Sequence, residues 1–77
     1  MFEKPSWETD APSWANYLAA DVTTDPEKPE YWVWFKYEPI FDRGTWLCGE
    51  GSGRWDQSKF PVPLGFDCKN SLESRPC

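Results

Sequence analysis

The side chains with chemical potential in this chain are three cysteines, thirteen carboxylates and six tryptophans, and there is no histidine. Cys48, Cys68 and Cys77 are separated by nineteen and eight residues. No C-x2-C pair is present, so tetrahedral zinc would need three scattered thiolates and a carboxylate. A nucleophilic thiolate needs an activating base or positive field, and with histidine the commonest general base is missing. Glu38 and Asp42 could form a carboxylate pair, but acids beside a turn are ordinarily solvated. Gly49-Glu-Gly-Ser-Gly53 has the glycine content of a phosphate loop without its spacing. Glu50 would repel phosphate, and no helical pattern follows. These residues predict no catalysis, no metal and no cofactor. A Cys68–Cys77 bridge is reachable if the tail folds back. The odd cysteine count and the lack of a secretory leader favour reduced thiols.

Charge narrows the partner. The net charge is −5, and residues 1–30 alone carry −5 from seven acids and two lysines. Residues 31–77 are neutral, with six acids and six bases. That balance disfavours ordinary nucleic-acid binding and suits approach to a basic protein surface. No apolar run reaches the 18 residues a membrane helix needs.

The 77 residues suffice for one domain. A chain this short buries only about 60–65% of its unfolded surface, so its fourteen aromatic residues must supply the core. Residues 1–9 read as a flexible arm. Asp10, as N-cap, and Pro12, in the first turn, predict a helix over residues 11–21. Its Trp14, Tyr17 and Leu18 share a face, and Ala15, Ala19 and Ala20 favour helix. Residues 23–30 (TTDPEKPE) read as a polar linker. YWVWFKYEPIF, residues 31–41, alternates as a strand should. Tyr31, Val33, Phe35, Tyr37, Pro39 and Phe41 form its core face, and Trp32 and Trp34 head the other. Asp42-Arg43-Gly44 is a turn signal, and Thr45–Glu50 a second strand. Residues 49–55 read as a glycine-rich loop. FPVPLGF, residues 60–66, reads as an extended strap laying Phe60, Val62, Leu64 and Phe66 on the core. Asn70-Ser-Leu-Glu73 has capping-box spacing and predicts one helical turn. The expected fold is a small α+β domain, with an N-terminal helix packed on a two- or three-stranded antiparallel sheet beside a proline-rich strap.

Tryptophan is the residue most enriched at interface hot spots. Trp32 and Trp34 are therefore either a docking platform or the surface that the helix face covers. Trp7 and Trp55 sit among polar residues and are either exposed anchors or lids on the sheet. Glu27 and Glu30 supply an acidic rim for either pair.

The run Ala11-Pro-Ser-Trp-Ala-Asn-Tyr-Leu-Ala-Ala-Asp21, followed by Tyr31-Trp-Val-Trp-Phe-Lys-Tyr-Glu-Pro39, resembles small accessory proteins of tailed bacteriophages. Those join an APxWAxxLAxD opening to a Trp/Tyr-rich segment and end near SLxxRP, as Ser71-Leu-Glu-Ser-Arg-Pro76 does here. This chain departs from them in its longer spacer at 23–30 and in the FPVPLGF strap. The resemblance covers most of the chain, brings no catalytic residue with it, and implies a protein of the host bacterial cytoplasm that acts by binding. The resulting expectation is a non-enzymatic monomer or weak homodimer that binds, and could inhibit, a host or phage protein. One alternative is an acidic nucleic-acid mimic acting on a DNA-binding enzyme. Another is an aromatic binder of single-stranded nucleic acid or glycan, for which Lys36, Arg43 and Arg54 would supply positive charge.

Overall fold

The alternation in Tyr31–Phe35 does make a strand, and that strand organises the molecule. A computed structural model describes residues 4–47 and 53–76. In chain order its strands are β1 (Tyr17–Ala20), β2 (Tyr31–Phe35), β3 (Ile40–Asp42), β4 (Thr45–Leu47), β5 (Trp55–Pro61) and β6 (Glu73–Ser74), with one 3-10 turn at Cys68–Asn70. Four strands form a sheet in the order β5-β2-β1-β6, and β3 and β4 form a separate hairpin. All pairings are antiparallel.

The expected α+β fold is therefore corrected to an all-β one: no α-helix occurs among the described residues. The segment read as a helix over 11–21 instead contains β1. The register explains why. Leu18 lies opposite Trp34, and Ala20 opposite Trp32. Small residues on β1 leave room for the indoles of β2, and all three of Leu18, Ala19 and Ala20 are wholly buried. Alanine's helix propensity is worth only tenths of a kcal/mol per residue over its rivals, and burial between two strands exceeds it. Asp10 does not cap a helix either. It accepts a hydrogen bond from Ser6 N, four residues earlier, at 2.8 Å. Pro12 and Ala15 close a tight turn, with Ala15 N donating to Pro12 O at 3.1 Å.

The sheet separates two apolar clusters. On one face Leu18, Ala20, Trp32, Trp34 and Val62 pack together, overlaid by Trp7, Trp14, Phe60 and Phe66. The N-terminal segment and the proline-rich strap therefore cover the same face. On the other face Ala19, Val33 and Phe35 meet Trp46 of β4, with Tyr17 and Leu72 at the margin. The close packing of the first face has a cost, because Trp32 Nε1 is buried with no acceptor.

Several boundaries move. β2 ends at Phe35, so Tyr37, expected on the core face, is exposed. The strap begins a strand earlier than its prolines suggest: β5 runs Trp55–Pro61 and pairs with β2. Within the strap Val62 is buried, as its alternation requires, whereas Leu64 is exposed. The terminal helical turn lies at Cys68–Asn70, and Glu73 is in β6. The loop read at 49–55 and the end of the second strand fall largely outside the described residues, as does Cys77, the proposed partner of Cys68. The described Cys68 is a free, buried thiol. The hairpin agrees with its turn signal: Arg43 and Gly44 both have positive φ, 52° and 83°, between Asp42 and Thr45. That geometry twists in the sense flanking strands prefer.

Both ends of the described chain converge on β1. Lys4 forms an ion pair with Glu73. Trp7 Nε1 donates to the same carboxylate at 3.0 Å. Ala20 N donates to Ser71 Oγ at 2.9 Å. Among the described residues no helix is long and apolar enough to cross a membrane.

Candidate functional site

Where the six sequence-derived candidates lie decides what surface remains. Trp32 and Trp34 are 1% and 3% exposed, so neither can contact a partner in this fold. They are interior because β2 is a central strand with both faces covered. Trp7 is half-buried and already engaged: its ring meets Trp34 edge-on with centroids 4.9 Å apart, and Arg75 lies 5.6 Å from its centroid. Trp55 differs from all three, being 57% exposed at the start of β5. Glu27 is exposed in the loop between β1 and β2, its amide held by Asp25 Oδ1 at 2.9 Å. Glu30 is exposed at the end of that loop.

Trp55 and Glu30 both line a groove of about 300 Å³ on the second face of the sheet. Pairing explains the placement. Trp55 lies opposite Phe35, and Gln57 opposite Val33, so both project on the face that carries Val33 and Phe35. The hairpin provides the other wall through Thr45, Trp46 and Leu47. Val33, Phe35 and Trp46 form a floor with little surface left to touch. The accessible apolar surface comes from the walls, Trp55 and the 47%-exposed Leu47. Ile40 pairs directly with Leu47 across the hairpin and is also exposed. Two large exposed apolar side chains, Leu47 and Trp55, thus line the groove, and Ile40 adjoins Leu47 on the hairpin.

Asp21 closes the groove and fixes the hairpin. It leaves β1 one residue after the strand ends, and its Oδ1 accepts from Trp46 N at 3.1 Å and from Thr45 Oγ1 at 3.4 Å. Trp46 is held again by its own Nε1, which donates to Cys68 O at 3.2 Å, and by an edge-on contact with Phe41. Burial raises the Asp21 carboxyl above its ordinary value, against the lowering effect of the Trp46 and Thr45 hydrogen bonds. Both of these bonds fall on Oδ1, so Oδ2 is uncommitted. The Glu30 backbone is pinned by Thr23 and Val62, whereas its carboxylate has no partner among the described residues. Sequence reasoning named Trp55 and Glu30 as candidates, and both line this groove. It missed Leu47 and Asp21, which reach the groove only because the hairpin folds back on the end of β1.

Two of the three basic residues expected to serve a nucleic acid lie against aromatic rings elsewhere. Arg54 stacks on Trp14 with its guanidinium carbon 4.5 Å from the ring centroid, and Lys36 lies 5.4 Å from that of Tyr37. Both had been possible phosphate contacts. A second depression, of about 370 Å³, lies between the N-terminal segment and β5, with Asp10, Asp56 and Lys59 in its walls. Its charges are mixed and its one tryptophan is the buried Trp34. Among the described residues no group of three His, Cys, Asp or Glu side chains is placed to hold a metal. No family model, curated protein or solved structure matches the chain.

Proposed function

We propose that this protein is a non-enzymatic accessory protein of a tailed bacteriophage that binds a host or phage protein, a contact through which it can inhibit that partner. The attribution to a phage rests on the sequence resemblance. The binding reading rests on one observation: Leu47 and Trp55 are both exposed in the lining of the groove, with exposed Ile40 paired to Leu47 across the hairpin. Single exposed apolar residues are normal on any protein, but a group of large ones marks an interaction surface. Trp55 is the anchor, because tryptophan buries a large area at small entropic cost.

The surroundings favour protein over nucleic acid as the partner. Stacking grooves for single strands carry positive charge along the backbone path. Here the described residues lining the groove include Asp21 and Glu30 and neither lysine nor arginine.

The test compares capture of lysate proteins by the wild type, Leu47→Asp and Trp55→Ser. Both changes are at exposed positions, so thermal melts of the variants should stay within a few degrees of the wild type. A band retained by the wild type and lost by both folded variants is expected. Equal capture by all three proteins would refute this surface as the contact.

A further inference from the structure

The groove has a chemical polarity that the binding reading leaves unused. Its walls are apolar and aromatic, and its end holds two carboxylates. We infer that the groove receives a lysine or arginine side chain from the partner protein. The aliphatic stem lies along the apolar walls, and the cationic head sits at the end of the groove that Asp21 and Glu30 line. This rests on the reading of the groove as a protein-binding surface and adds the chemistry of the group that enters it.

Three features converge on a cation. The first is the pair of uncommitted acceptors. Asp21 offers Oδ2, since both of its hydrogen bonds use Oδ1. Glu30 offers its whole carboxylate. The second is the apolar wall, where Leu47 and Trp55 keep 47% and 57% of their surface exposed for an aliphatic stem to cover. The third is charge. The excess of −5 on residues 1–30 lies on the segment that carries both Asp21 and Glu30 to this face. A basic side chain joins an apolar stem to a charged head, which matches an apolar trough ending in acids. A metal ion would need a third ligand, which the described residues do not place there.

Asp21 also bears on why a carboxylate is present. As a hairpin anchor it uses one oxygen, and an asparagine carbonyl could accept the same two bonds. The partly buried charge is unnecessary for that role, and it becomes useful once a cation enters the groove.

The experiment titrates the full-length 15N-labelled protein with blocked tripeptides, Ac-Gly-X-Gly-NH2, following the Trp55 indole and the Thr45–Leu47 amides by NMR. X is arginine, lysine, citrulline or norleucine. Citrulline keeps the shape of arginine without its charge, and norleucine keeps the stem of lysine. Saturable shifts at these positions are expected with arginine or lysine, with the neutral analogues about fivefold weaker or more. Glu30→Gln, at an exposed side chain, should remove most of that preference without disturbing the fold. Asp21→Asn should do the same, and the Trp46 amide resonance reports whether the hairpin stays docked. Citrulline or norleucine binding as tightly as the charged peptides overturns the cation assignment while leaving an apolar docking groove intact. Absence of any shift at Trp55 with all four peptides also overturns it. In that case the binding reading is judged separately, by the Leu47→Asp and Trp55→Ser capture comparison.

Discussion

At the scale of single residues, Asp21 connects stability to the groove. Its folded pKa is raised above the ordinary 3.8 by burial. Well below pH 3.8 the group is neutral in both folded and unfolded chains, and it costs nothing. As pH rises through the folded pKa, the folded chain must hold a partly desolvated charge that the unfolded chain keeps in water. Stability is therefore lost on the alkaline side of that window. Asp21→Asn should make the protein more stable than the wild type at neutral pH, and the difference should shrink as pH falls toward 3.8 and vanish only well below it. Urea midpoints measured across that range check it; a variant less stable at pH 7 would mean that the charge strengthens the Trp46 and Thr45 bonds by more than burial costs. Cys68 makes a companion case. Burial, then the charges of Asp21 and Asp67, raise its pKa, and its thiol contacts the Asp21 carbonyl oxygen at 3.3 Å. In a Cys48→Ser/Cys77→Ser background, labelling by Ellman's reagent at pH 7.5 should be at least about a hundredfold slower than in urea, because it requires opening of the fold.

At the scale of elements, two short strand segments show why legibility in the sequence was uneven. β2 could be read because its alternation is its own, and the β3–β4 turn because Asp-Arg-Gly has few other uses. β1 could not. Its Leu-Ala-Ala is a good helix fragment in isolation, and only the bulky residues opposite it on β2 make small side chains a strand solution. β5 was hidden for a different reason. As an edge strand it is mostly exposed and polar, so WDQSKF shows no apolar period, and its identity comes from pairing with β2. The groove inherits both difficulties. Trp55 and Glu30 could be named from residue type, but Leu47 and Asp21 join them only through the hairpin's docking. The hairpin itself carries a testable strain: Arg43 sits at φ 52°, where a side chain with a Cβ is disfavoured. Arg43→Asn should stabilise the protein by about 0.5 kcal/mol, since asparagine tolerates that conformation. A denaturant melt that moves the other way would show that the arginine has a compensating contact.

At the scale of the whole molecule, the C-terminal segment closes the structure. Ser71 receives the Ala20 amide, β6 pairs with β1, and Glu73 holds Lys4 and Trp7 over the first face. Ending the chain at Asn70 removes all of these at once. Such a truncation should elute as an expanded or aggregated species in size-exclusion chromatography, and it should lose the shifted indole resonance of Trp7. A compact monomer with native Trp7 and Trp34 signals would mean that the strap and β2 suffice without β6.

The placement of β6 beside β1 also sets an order of events during translation. β6, the outer neighbour of β1, follows it by more than fifty residues. At roughly 5–20 residues per second the interval is several seconds. Throughout it, an alanine-rich strand with an unpaired edge is open to other nascent chains. Slowing translation of the codons for residues 62–72 should therefore lower soluble yield, whereas slowing those for residues 4–16, ahead of β1, should not.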